Sequence, residues 1–115
     1  MRLIDTEALI ELIRRGEHVP GAISIVTLIE VLRGVKAEKR VAVKEALEES
    51  FTVIGLDNRV VLAYCELYDR LRGEGELVPD ADILIAATAI THDLGLKSRD
   101  KHFEKLRKHG LKLEQ

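Results

Sequence analysis

The sequence predicts an α/β sandwich: a mainly parallel central sheet flanked by helices. Two observations lead there. Short apolar runs rich in β-branched residues alternate with longer amphipathic stretches along the whole chain, which is the order of a parallel sheet with crossover helices. The length of 115 residues suits a single domain over 1–115 with one core.

Met1–Ile4 is a short apolar start and reads as a strand. Thr6–Arg15 follows with apolar residues at 8, 9, 10, 12 and 13, ends on two arginines and meets Gly16, so the basic end and C-cap of a helix stand in their usual places. Ala22–Val26 reads as a buried strand. Thr27–Arg33 opens a second helix, halted at Gly34, and Ala37–Ser50 is a charged amphipathic helix. Phe51–Leu56 is a strand or an extended connection. Asp57 caps a long helix to about Arg72, with apolar positions at 60, 61, 64, 67, 68 and 71. Gly73–Pro79 is a loop, Asp80–Asp93 a helix closed by Gly95, Leu96–Ser98 a strand, Lys101–His109 a last helix and Leu111–Leu113 a last strand.

Composition excludes several classes. Hydrophobic residues make up 46% and charged residues 33%, the balance of a globular chain. No apolar run approaches the ~20 residues that span a bilayer. Acids interrupt the apolar start, and no small-residue cleavage site follows it, so a cytoplasmic protein is expected. Cys65 is the only cysteine. It cannot form an intrachain disulfide or a thiolate cluster, and it reads as a packed core thiol. One asparagine and one glutamine among many Glu, Lys and Arg lean toward a thermophilic source. The net charge of −2 argues against binding nucleic acid through overall charge. Between Lys97 and Lys112, however, seven Lys or Arg face two acids, a local balance of +5. That stretch reads as a solvated helix face or as a patch for a polyanion.

Ligands of parallel sheets bind beyond the carboxyl ends of the strands, at a topological switch point. Asp5 follows the first strand and Asp100 a later one. Glu30 sits about one turn into the helix after the second strand, and Asp80 and Asp82 open another helix. Each has a structural reading. Asp5 and Asp100 can cap the helices they precede, and Thr27-x-x-Glu30 has the spacing of a capping box. Residues two apart on a helix do not share a face, so one of Asp80 and Asp82 can cap while the other points elsewhere. Taken together, the acids collect at one rim. Clustered carboxylates repel unless a cation intervenes. Oxygen donors without thiolates or paired histidines suit Mg²⁺ or Mn²⁺, which activate water and stabilise phosphoryl transfer.

The segments LIDTEALIELI, ISIVTLIEVLRG, PDADILIAATAI and LKSRDKHFEKL resemble, in order and almost end to end, the successive motifs of PIN-domain ribonucleases. The likeness is greatest to the VapC-type toxins of toxin–antitoxin pairs. The resemblance implies a three-layer PIN-like sandwich and an Mg²⁺- or Mn²⁺-dependent endoribonuclease leaving 5′-phosphate and 3′-hydroxyl ends. It implies Asp5, Glu30, Asp82 and Asp100 as metal-binding and catalytic carboxylates, with hydroxyls from Thr6 and Ser98 nearby. Asp80 becomes an accessory acid or the helix cap. The basic residues Arg99, Lys101 and Lys105 are candidates for substrate phosphates. It further implies a VapB-like antitoxin and a homodimer, for which Tyr64 and Tyr68 offer a surface. Lys97 stands where the family usually has an aliphatic strand residue, Ser98 where threonine is common, and the segment from Gly34 to Phe51 is trimmed.

Other chemistries fit less well. His18, His92, His102 and His109 lack zinc-site spacing, and His92 reads as a C-terminal helix cap. His102 and His109, seven apart, would share a face of an α-helix and read as surface residues. No glycine-rich phosphate loop or nucleophile elbow occurs. A receiver-like phosphoacceptor would need an acidic pair after the first strand, and a silent PIN-like binding scaffold would have lost a metal carboxylate.

Overall fold

The computed structural model describes residues 1–114; Gln115, the last residue of the single-domain reading, lies outside them. Five strands, β1 (Arg2–Ile4), β2 (Ala22–Ser24), β3 (Thr52–Ile54), β4 (Gly95–Lys97) and β5 (Leu113–Glu114), form one sheet in the order β3-β2-β1-β4-β5. Every neighbouring pair is parallel. The helices are α1 (Thr6–Arg15), α2 (Ile25–Arg33), α3 (Arg40–Ser50), α4 (Asn58–Gly73) and α5 (Asp80–Thr91). A 3₁₀ turn (Ala37–Lys39) precedes α3, and a 3₁₀ helix (Lys101–His109) joins β4 to β5.

The pleat sorts the core into two layers, because successive strand residues face opposite ways. Leu3, Ala22, Leu96 and Leu113 turn toward a cluster with Val60, Leu67 and Leu71 of α4, Ile83 to Ala89 of α5, and Phe103 and Leu106 of the 3₁₀ helix. Ile4 and Ile23 turn the other way, onto Leu9 and Leu12 of α1, Leu28 and Val31 of α2, and Leu47 and Phe51. The sheet is thus covered on both faces, the three-layer α/β arrangement expected.

Several local expectations are corrected. The second helix begins at Ile25, since the Ser24 hydroxyl accepts from the Val26 amide at 3.0 Å and supplies the cap. Thr27 lies fully buried inside α2, so the capping box with Glu30 does not form. Helix α5 ends at Thr91, and the left-handed position is taken by Asp93 (φ 53) rather than by glycine. Leu94 N–H reaches back to the Ala89 carbonyl and Asp93 N–H to that of Ile90, closing a Schellman motif. Aspartate is among the few residues that tolerate this conformation. The last helix is 3₁₀, not α. With three residues per turn, Phe103, Leu106 and His109 stack on its inner side, whereas residues seven apart diverge by about 120°. His102 and His109 therefore face differently. Cys65 is exposed on the outer side of α4, not packed in the core.

Helix α5 has little amphipathy because it is nearly surrounded, and Ala86, Ala87 and Ala89 have no exposed surface. Its most extensive neighbour is α4, and the small side chains permit the close approach. Ala87→Leu should overpack this layer and cost about 1–3 kcal/mol, read as a lower urea midpoint at unchanged slope.

Candidate metal centre

The chain leaves β1 toward α1 on one face and β4 toward the 3₁₀ helix on the other. The sheet order therefore reverses between these two strands, and a crevice opens beyond their carboxyl ends. Asp5 stands at this point. Its amide donates to the Lys97 carbonyl at 3.2 Å, continuing the β1–β4 ladder. The residue is 3% exposed, and each carboxylate oxygen accepts one hydrogen bond and keeps a lone pair. Oδ1 accepts from the Ala8 amide at 2.8 Å, capping α1, while Oδ2 takes a very short hydrogen bond from the Ser98 hydroxyl. The Ser98 oxygen also accepts from the Asp100 amide at 3.0 Å. One buried hydroxyl thus ties the first acid to the fourth.

Glu30 arrives from α2 on the neighbouring strand's side. The Thr6 hydroxyl lies 2.7 Å from Glu30 Oε1 and 3.1 Å from the buried Thr27 hydroxyl. Thr27, deprived of a capping role, helps position the hydroxyl that holds Glu30. Asp82 and Asp80 separate as helix geometry requires, some 200° apart at 3.6 residues per turn. The Asp80 carboxylate turns outward to α4 and accepts from the Tyr64 hydroxyl at 2.6 Å, which pushes the tyrosine pKa up to about 12. Asp80 does not cap α5: Pro79 is the N-cap, and no side chain bonds there. Asp82 faces the crevice.

Asp100 caps the 3₁₀ helix through Oδ1, which accepts from the His102 amide at 2.9 Å. The imidazole then lies between two acids, with Nδ1 3.0 Å from Asp82 Oδ2 and 3.2 Å from Asp100 Oδ1. Asp82, Asp100 and His102 offer donor atoms within 4.8 Å of one another, a spread that a single divalent ion can gather. His102 is the member of this set that sequence reasoning missed. The available signal was its place two residues beyond Asp100, obscured by treating the segment as an α-helix.

Burial and neighbouring charges act on two of these acids. Burial raises the Asp5 pKa, partly offset by the Ser98 and Ala8 bonds, with the charges of Glu7 and Asp100 adding to the rise. Burial also raises that of Asp82, followed by the charge of Asp100; the His102 bond opposes, and Glu30 adds further. Asp100 is thus felt at both Asp5 and Asp82, and Glu30 at Asp82, while the set of donor atoms close enough to share one ion is Asp82, Asp100 and His102. The donor chemistry, carboxylates with one imidazole and no thiolate, fits a hard or borderline divalent cation.

The basic segment divides. Lys105 pairs with Glu76, Lys108 with Glu74, Lys112 with Asp93 and Arg107 with Glu104. Lys97 and Arg99 instead line a groove of about 440 Å³ beside Ser98, with Glu7, Glu11 and Arg15 of α1 on its other wall. A larger hollow of about 600 Å³, bordered by His18, Pro20 and Phe51, lies at the amino edge of the sheet, away from the acids. His92 closes α5 as the expected C-terminal cap and lies 3.3 Å from Asp57. Among the described residues, no helix is long and apolar enough to cross a membrane.

Residues 2–109 match the family model described as the PIN domain. The chain is 37% identical over 115 positions to ribonuclease VapC1 of Methanocaldococcus jannaschii, covering 96% of this chain and 85% of that protein. Its fold is similar to that in the structure of VapBC-1 from nontypeable Haemophilus influenzae (TM-score 0.82, 21% identity, 98% of this chain and 96% of that one). It is equally similar to that in DNA-bound VapBC from Salmonella typhimurium (TM-score 0.83, 22% identity, 99% and 98%). At these identities the solved structures attest to the fold.

Crowding the acids has a thermodynamic sign. A carboxyl whose pKa is raised on folding holds its proton longer in the folded state. Its ionisation therefore subtracts stability as pH climbs from the ordinary value of 3.8 through the raised one. In EDTA, Asp82→Asn should raise the urea midpoint at neutral pH, and the gain should shrink toward zero as pH falls to about 4. Chemical denaturation of both proteins at several pH values checks it.

Proposed function

The chain belongs to the PIN-domain family, and we propose that it is an Mg²⁺- or Mn²⁺-dependent endoribonuclease, the toxin of a type II toxin–antitoxin pair. One observation carries the reading: at the switch point of a parallel sheet Asp82, Asp100 and His102 offer donor atoms within 4.8 Å of one another, with Asp5 tied to Asp100 through Ser98 and the charge of Glu30 felt at Asp82. A structural cap needs no such assembly, and mutual repulsion opposes it without a cation. The 37% identity to a protein named ribonuclease VapC1 supports RNA as the substrate class.

Asp5, Glu30, Asp82 and Asp100 would hold the ion. A divalent ion bound there supplies a more acidic water and a counter-charge for phosphoryl oxygens. The chain's own groups do the rest. Ser98 and the Ala8 amide keep the Asp5 carboxylate from turning, and Thr6 does the same for Glu30. Arg99 and Lys101 flank Asp100 in sequence and would receive substrate phosphates; Arg99 and Lys97 line the groove beside Ser98. Lys105, a further sequence candidate for phosphate contact, is instead paired with Glu76. Attack of water on the phosphorus with cleavage of the P–O3′ bond, the 3′-oxygen leaving and taking up a proton, leaves 5′-phosphate and 3′-hydroxyl ends.

The VapBC structures that share the fold support a cognate VapB-like antitoxin, and a cytoplasmic location belongs to the same reading. Exposed Val61 and Leu62, beside the stacked rings of Tyr64 and Tyr68 on α4, supply an apolar surface for a homodimer.

The test is cleavage of a panel of RNAs in Mn²⁺, Mg²⁺ or EDTA, with Asp82→Asn prepared identically. Cleavage should require metal, give 5′-phosphate ends and fall at least about a hundredfold in the variant, the size of loss that removal of one electrostatic group from a catalytic site brings. Cleavage in EDTA, or 2′,3′-cyclic phosphate ends, would refute the mechanism. Metal binding without cleavage of any RNA would point to a silent scaffold.

A further inference from the structure

We propose that His102 is itself a metal ligand, and that its imidazole biases the centre toward a first-row transition ion such as Mn²⁺ and against Mg²⁺. The inference rests on the metal-centre reading above and extends it to ion selectivity.

The placement of the ring is specific. His92 and His109 each pair with one acid, Asp57 and Glu74 respectively. His102 alone among the described histidines stands between two, with Nδ1 3.0 Å from Asp82 and 3.2 Å from Asp100. Three constraints put it there. Phe103 and Leu106, both buried, anchor the inner side of the 3₁₀ helix. The backbone amide of His102 is bound to Asp100 Oδ1, which fixes the residue's distance from the fourth acid. The Ser98 hydroxyl holds the Asp100 amide in turn, linking the ring's position to Asp5.

The chemistry follows from the atom presented. A positive counter-charge for two acids needs no aromatic nitrogen, and a lysine ammonium would serve. An imidazole aimed into a carboxylate pair is a donor to a metal once the ion replaces the hydrogen bonds. Its side chain is 42% exposed, so an ion and its waters can reach it from solvent. Mg²⁺ prefers oxygen donors in strict octahedral geometry and gives up water reluctantly, whereas imidazole nitrogen suits transition ions. Adding one nitrogen to a carboxylate set therefore raises affinity for Mn²⁺ more than for Mg²⁺.

The experiment uses the whole chain and Mn²⁺ as the probe. Pulsed electron paramagnetic resonance of the Mn²⁺-loaded protein should show ¹⁴N modulation from a coordinated imidazole, and His102→Gln should abolish it. Titration calorimetry should show Mn²⁺ affinity falling about tenfold in that variant, the scale of losing one group that tunes a metal site, with a much smaller loss for Mg²⁺. The wild-type spectrum requires no variant to fold. Bound Mn²⁺ without ¹⁴N modulation, or equal losses for the two ions, would overturn the role of His102 while leaving the carboxylate centre intact, provided Asp82→Asn still removes binding. Saturable binding absent from the wild type, or untouched by Asp82→Asn, would overturn the centre and this inference together.

Discussion

A parallel sheet that adds strands outward in both directions from β1 must part its connections at that strand. Here the chain leaves β1 for one face and β4 for the other, and the gap between them is the one place where loop residues from both halves can meet. Asp5 occupies it. Burying a carboxylate there is unfavourable on its own, since desolvation penalises the charged form. The surrounding structure compensates with a serine hydroxyl from the end of β4 and a helix-capping amide from α1. These bonds join the first and last thirds of the chain.

The other acids are placed by the same economy of means. For two of the four acids, the bond that orients the carboxylate also caps a helix. Asp5 caps α1 and Asp100 caps the 3₁₀ helix, while Thr6, the first residue of α1, reaches Glu30 on α2. Capping and site-building are not competing explanations for Asp5 and Asp100; the amide bonds of the cap also fix the orientation of the carboxylate. The pair Asp80 and Asp82 shows the alternative. Two steps along a helix turn one acid to Tyr64 and leave the other in the crevice.

Much of this was legible in the sequence because it depends on short-range order. Alternation of apolar strands with amphipathic helices gave the sandwich, and acids directly after strands gave the rim. What escaped depended on tertiary context. Ser24 rather than Thr27 caps α2, because the strand gives way to helix two residues earlier than the apolar run suggests, and burial of Thr27 settles it. The outward exposure of Cys65 follows from which side of α4 meets α5, which the spacing of apolar residues on a long helix leaves ambiguous. The role of His102 was hidden by period: at 3.6 residues per turn it aligns with His109, at 3.0 it does not. The paired state of Lys105, Lys108 and Lys112 likewise depends on acids far away in sequence, so a stretch with a balance of +5 offers much less free charge than its count implies.

The central claim is that the acids at the switch point are one metal site. The most direct test is the melting temperature of the metal-free protein, its Asp5→Asn variant and its Asp82→Asn variant, each titrated with Mn²⁺. A cation that binds only the folded state stabilises it in proportion to the logarithm of its concentration above Kd. The account predicts a rising melting temperature for the native chain and a blunted rise for both variants, although Asp5 and Asp82 lie on different elements. A full rise in either variant would contradict it and move the ion elsewhere.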